Sequence, residues 1–208
     1  MFDSKSQPPS NPLAVIKPQR KPRLYTLGEF LRKEARSKYK HQYINGKIEK
    51  MPGARGPHNI IASNINYLLQ VAIEKLEEEY IVFSSDQLIY MPKLNFGYYA
   101  DTLAVCEKPV YWNDNNVLLT NPLLIVEILS KSTQKRDRTS KFEDYKTLDS
   151  FKEYVLVRQD ICSVETRFRE EPDLWREKTV NDRKDEVRLR SLGCSISMEG
   201  IYKNIDFE

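Results

Sequence analysis

The chain has 208 residues, 40% of them hydrophobic and 11% aromatic, enough for one well-buried domain, and its net charge of +3 permits a nucleic-acid partner without requiring one. No apolar run approaches the roughly 20 residues that cross a bilayer, and the first residues, MFDSKSQPPS, lack the apolar core of a secretory signal, so a cytoplasmic protein without membrane association is expected. Cys106, Cys162 and Cys194 are far apart and show no CxxC spacing, which points to reduced thiols rather than to a disulfide framework or a zinc site.

Residues 1–24 hold five of the eleven prolines among Ser, Lys and Gln, a composition that predicts a flexible arm ahead of a single domain over residues 25–208. Thr26-Leu27-Gly28-Glu29 has capping-box spacing, and the apolar face that follows predicts a helix to about Tyr39. Tyr43-Ile44 and Ile48 flank Asn45-Gly46, the dipeptide suited to a type I′ hairpin, because both central residues need positive φ. A Pro-Gly loop over residues 52–57 leads into the longest predicted helix, His58 to Glu79, with Ile61, Ile65, Leu69 and Ile73 at helical spacing.

Ile81 to Met91 and Gly97 to Cys106 read as two antiparallel neighbouring strands, with the turn marked by Pro92 and Asn95. After a polar loop, Asn121 to Tyr145 combines a buried strand at Leu123–Leu129, a loop and a charged helix from about Asp137 to Leu148. Strands follow at Lys152–Val157 and Ile161–Phe168, with edge strands at Leu174-Trp175 and Val187–Leu192.

Two residues break the apolar pattern. Glu127 sits in the middle of a strand whose neighbours are all apolar, and Asp101 interrupts another at Tyr99-Ala100-Asp101-Thr102-Leu103. Two carboxylates on neighbouring buried strands repel one another, so one must hold a proton unless a cation lies between them. Oxygen ligands of this kind suit Mg²⁺ or Mn²⁺. Downstream, Asp137 and Lys141 are spaced four apart on the charged helix, with Tyr145 four further on. That spacing fits a lysine aimed at a phosphodiester, and equally a helix-surface ion pair.

Tyr99-Ala100-Asp101, Val126 to Thr133, Asp137-Arg138 and Lys141 to Tyr145 together resemble the PD-(D/E)XK nuclease superfamily, and specifically its restriction-endonuclease-like branch of bacterial proteins. Tyr43-Ile44-Asn45-Gly46, His58-Asn59 and Phe83-Ser84-Ser85-Asp86 extend the resemblance, which spans about Tyr25 to Arg169. It implies an α+β fold with a mixed sheet flanked by helices, an N-terminal helix and a hairpin. It also implies hydrolysis of a DNA phosphodiester, with Asp101 and Glu127 binding Mg²⁺ or Mn²⁺ and with Lys141 as the catalytic lysine.

That lysine would have moved to the following helix, because Leu129 stands where the superfamily places it. Ala100 replaces the Pro of the superfamily, Lys131 a Pro of the branch, and Gln42 a Glu of the first hairpin. Lys131 could act beside Lys141, whereas the neutral Gln42 would bind a cation less strongly than Glu. His58, at the start of the long helix, is a candidate base or phosphate contact and equally a capping or surface residue; Asp86 is a candidate that local hydrogen bonding to its serines explains as well. A homodimer is expected for cutting both strands of a duplex. The alternative function is a nucleic-acid-binding or regulatory module with a weakened site.

Overall fold

The Thr26 capping box closes as its spacing predicts: Glu29 N–H donates to Thr26 Oγ1 at 3.2 Å and Thr26 N–H to Glu29 Oε2 at 2.8 Å. The helix it starts, α1 (Leu27–Glu34), is five residues shorter than the pattern predicts. It ends where Glu34 turns inward to accept the backbone N–H of His41 at 2.8 Å. The hairpin of β1 (His41–Ile44) and β2 (Lys47–Lys50) follows, with Asn45 at φ 43° and Gly46 at φ 90°, as a type I′ turn demands. The computed structural model describes residues 23–54, 56–114 and 116–207. The predicted arm, apart from Arg23 and Leu24, lies outside the described residues.

Helix α2 (Gly56–Ile73) buries Ile61, Ile65 and Leu69, and stops six residues before the predicted end. Beyond it, each of the two predicted long strands is split in two. The first becomes β3 (Tyr80–Ser84) and β4 (Leu88–Met91), and the second becomes β5 (Phe96–Tyr99) and β6 (Thr102–Cys106). The antiparallel pairing is as expected, but β4 pairs with β5 in one sheet while β3 pairs with β6 in another. The long hairpin therefore crosses between sheets at two corners, and Asp101 occupies one of them. Its N–H leaves the hairpin ladder and donates instead to Val126 C=O at 3.2 Å.

The short β7 (Leu118–Leu119) precedes β8 (Leu124–Leu129), which is buried along its whole length. The predicted charged helix is two short ones, α3 (Gln134–Arg138) and α4 (Ser140–Tyr145). The bend has a local cause. Thr139 Oγ1 donates back to Lys135 C=O at 2.7 Å and the Thr139 backbone leaves helical geometry. Side chains take the carbonyls so released: Tyr154 OH donates to Asp137 C=O at 3.1 Å and Arg167 to Arg138 C=O at 2.9 Å.

The remaining elements are β9 (Glu153–Arg158), β10 (Val164–Glu171), β11 (Leu174–Val180), β12 (Glu186–Leu189), β13 (Cys194–Ser197) and α5 (Met198–Ile201). A five-stranded sheet runs β2-β1-β5-β4-β7 and a six-stranded sheet runs β11-β10-β9-β8-β6-β3, with β12-β13 forming a separate pair. Both larger sheets are mixed, since β8 runs parallel to β9 and β4 to β7 while their other pairs are antiparallel. The α+β architecture expected from the sequence is thus present.

Apolar residues fill both sides of the six-stranded sheet. Helices α2 and α5 cover one side through Ile61, Ile65, Leu69 and Ile201. On the other side α4 contributes Phe142 and Tyr145, which pack with Phe151 and Tyr154. Helix α1 lies on the smaller sheet, where Phe30 stacks on Tyr43 at 5.1 Å. Buried Glu153 ties the C-terminal segment to β9 by accepting the N–H groups of Arg190 and Ser191 and the Ser191 hydroxyl. All three cysteines are free thiols, as expected.

Candidate functional site

The corner at Asp101 and the middle of β8 face the junction of α2, α3 and α4. Asp101 directly precedes Thr102, which pairs with Val126, so it lies beside Glu127 across the β6–β8 ladder. Two hydrogen bonds orient its carboxylate: Oδ2 accepts the Ile128 N–H at 2.7 Å, and Oδ1 lies 2.9 Å from His58 Nε2 in the first turn of α2. Because Ile128 is one residue past Glu127, the same strand that carries one carboxylate fixes the other.

Glu127 is 5% exposed. Its Oε1 lies 2.6 Å from Lys141 Nζ and accepts the Tyr145 hydroxyl at 3.0 Å. Its Oε2 carries no hydrogen bond from a described residue. Lys141 also donates to Tyr99 C=O at 3.2 Å and lies 4.0 Å from Asp137 Oδ1. The bend at Thr139 places Asp137 and Lys141 on successive short helices, both facing inward and both about 5% exposed. The surface ion pair that the spacing also allowed is therefore excluded.

Three carboxylates now meet one ammonium. Burial, helped by the carboxylates of Asp137 and Asp101, pushes Glu127 up to about 8 against the pull of Lys141. Burial likewise raises Asp137. Lys141, which burial alone would discharge, is held above its ordinary value by Glu127 and Asp137. In the close Lys141–Glu127 contact, burial thus favours the neutral carboxyl while Lys141 favours the carboxylate.

The donor set has the chemistry of a hard-cation site, with excess carboxylate oxygen, one open oxygen on Glu127 and free lone pairs on Asp101. Among the described residues no three His, Cys, Asp or Glu side chains form a ready-made cage.

Asp101, Glu127, Asp137, Lys141 and His58 come together. Asp86 and Lys131 do not join them. Asp86 is exposed and pairs with Lys40 at 2.6 Å. Lys131 is exposed on the loop after β8, near Asp160. Gln42 lies on β1 opposite Glu49. Tyr98 and Tyr99 are core residues. Sequence reasoning missed that Tyr145 bonds Glu127, although its spacing four residues after Lys141 was the available signal. Nothing in the sequence indicated the Ile128 N–H.

Corner-mounted Asp101, strand-borne Glu127 and an inward lysine on a mixed sheet flanked by helices define a restriction-endonuclease-like domain of the PD-(D/E)XK kind. The chain belongs to the Uma2 family, described as "Putative restriction endonuclease", whose model matches residues 27–199. It is 31% identical over 143 residues to the uncharacterised protein sll1609 of Synechocystis, covering 69% of this chain and 80% of that one. A second uncharacterised Synechocystis protein, slr1290, is 26% identical over 200 residues, covering 96% and 97%. The crystal structure of a protein from Anabaena variabilis described as a "putative nuclease" superposes with a TM-score of 0.68 at 17% identity, over 86% of this chain and 97% of that one. At that identity the likeness speaks to the fold.

Proposed function

We propose that this chain is a Mg²⁺- or Mn²⁺-dependent endonuclease that hydrolyses DNA phosphodiester bonds, acting in the cytoplasm as a homodimer, with residues 25–208 as its single domain. The observation that carries this reading is Lys141 reaching Glu127 from α4 at 2.6 Å, where it would take the role vacated by Leu129. Asp101 and Glu127 would hold the cation. When bound, it would polarise the phosphate and lower the pKa of the attacking water.

The protein's own groups supply the rest. Lys141 places positive charge beside both carboxylates, where it can orient the attacking water and offset charge developing on the phosphate. Tyr145 holds Glu127 Oε1 in place, and His58 and the Ile128 N–H fix the Asp101 carboxylate. Family membership and the fold support the nuclease class.

A second reading, a nucleic-acid-binding module with a weakened site, draws support from the neutral Gln42 on the neighbouring hairpin. Crystals soaked in Mn²⁺ separate the two. Anomalous density between Asp101 and Glu127 is expected of the enzyme, and its absence, together with no heat of Mn²⁺ binding in solution, favours the binding module.

A further inference from the structure

Residues 32–50 hold seven Lys and Arg against two Glu, a net +5, whereas the whole chain carries +3, so the other 189 residues are net −2. The fold gathers this charge on one lobe. Arg32 and Lys33 lie in the last turn of α1, Arg36 and Lys38 just beyond it, and Lys47 and Lys50 on β2. All six are exposed, and none has a carboxylate partner among the described residues.

The two glutamates of the region are already engaged. Glu34 holds His41, and Glu49 faces Arg136 at 3.7 Å. Between α1 and the hairpin lies an open groove of about 690 Å³, lined in part by Arg32, Lys33, Arg36 and Tyr25. Tyr39, just beyond α1, is 59% exposed, with Lys50 Nζ 3.3 Å from the ring centroid.

This lobe adjoins the proposed catalytic site through two contacts. Arg136, the partner of Glu49, immediately precedes Asp137. Tyr99 donates its hydroxyl to Glu34 and accepts Lys141 on its backbone carbonyl. We infer that α1 and the β1–β2 hairpin form a docking surface for nucleic acid, with the exposed cations on backbone phosphates and Tyr39 against a sugar or base.

A group of exposed cations without carboxylate partners fits a phosphodiester backbone, whose charge is regular and independent of sequence. Only the path of the strand from this surface into the site rests on the nuclease reading. Metal-free binding through these cations does not.

The test is anisotropy of a labelled DNA duplex in EDTA, titrated between about 50 and 200 mM salt. The patch variant is Arg32→Gln/Lys33→Gln/Arg36→Gln, and the control is Lys75→Gln/Lys178→Gln/Lys184→Gln, three exposed lysines elsewhere. Each lowers the formal charge from +3 to 0, so a general charge effect acts on both alike. The patch variant should lose about 2–3 from the slope of log affinity against log salt, and at least about tenfold in affinity at low salt, while the control slope changes by less than about 1.

Lys47→Gln/Lys50→Gln on the hairpin should lose about 1–2 from the slope, and serves if the α1 variant fails to fold. Equal losses in patch and control variants, or wild-type binding by both patch variants, overturn the proposal. So does polyglutamate bound as tightly as DNA. A wild type that binds through these cations but cuts nothing with Mg²⁺ refutes the nuclease reading and leaves the surface standing.

Discussion

Glu127→Gln should make the protein more stable at alkaline pH while removing a proposed metal ligand. In the unfolded chain Glu127 titrates near 4.5, whereas in the fold it titrates near 8. Between those values the folded state keeps a proton that the unfolded state has released, so wild-type stability falls as pH rises through that window. Glutamine carries no such proton. At about pH 5 both proteins present a neutral group to Lys141 and should agree within about 1 kcal/mol. Toward pH 8 the gap should widen by at most about 1.4 kcal/mol per pH unit, an upper limit near 5 kcal/mol across the window. A value on the order of 2–4 kcal/mol is expected once Lys141 relaxes onto Asp137. Urea denaturation in EDTA at several pH values measures it. The reasoning is refuted if the variant is the less stable protein near pH 8, or if the gap does not grow with pH.

Three further outcomes follow from particular contacts. Lys141→Met should lower DNA hydrolysis by at least about 100-fold in a plasmid-nicking assay while the protein stays folded by circular dichroism. Gly46→Ala should cost about 1–2 kcal/mol in thermal or urea unfolding, because φ is +90° and a Cβ there would meet Leu24 Cβ at 3.2 Å. Glu153→Ala should cost about 2–4 kcal/mol by leaving the Arg190 and Ser191 donors without their acceptor, and hydrogen exchange should show β12 and β13 loosening first.

Elements whose signals are local were legible in the sequence. The Thr26 cap, the Asn45-Gly46 turn and the buried β8 each depend on a few neighbouring residues, and the misplaced Glu127 and Asp101 stood out against apolar surroundings. What long-range geometry decides was not legible. The apolar pattern runs on through Ser85-Asp86 and Ala100-Asp101, so nothing in it says that the strands change sheets there, although the change is what turns Asp101 toward β8.

The split between α3 and α4 arises from one hydroxyl, Thr139 to Lys135 C=O, and is stabilised by Tyr154 and Arg167 from distant strands. His58 could be placed only as one option among several until the fold set it 2.9 Å from Asp101. Asp86 matched the family wording and Lys131 departed from it, but the chain directs both to the surface. The basic lobe escaped notice because its charge is offset in the total by acidic residues elsewhere.

Asp101 and Glu127 are proposed to form a cation-dependent hydrolytic site. Incubating supercoiled DNA with Mg²⁺ or Mn²⁺ and wild-type, Asp101→Asn or Glu127→Gln protein tests it most directly. Nicking or linearisation by the wild type is expected, abolished by EDTA and reduced at least about 100-fold in each variant. Cleavage that survives either substitution, or no wild-type cleavage with either metal, would contradict it.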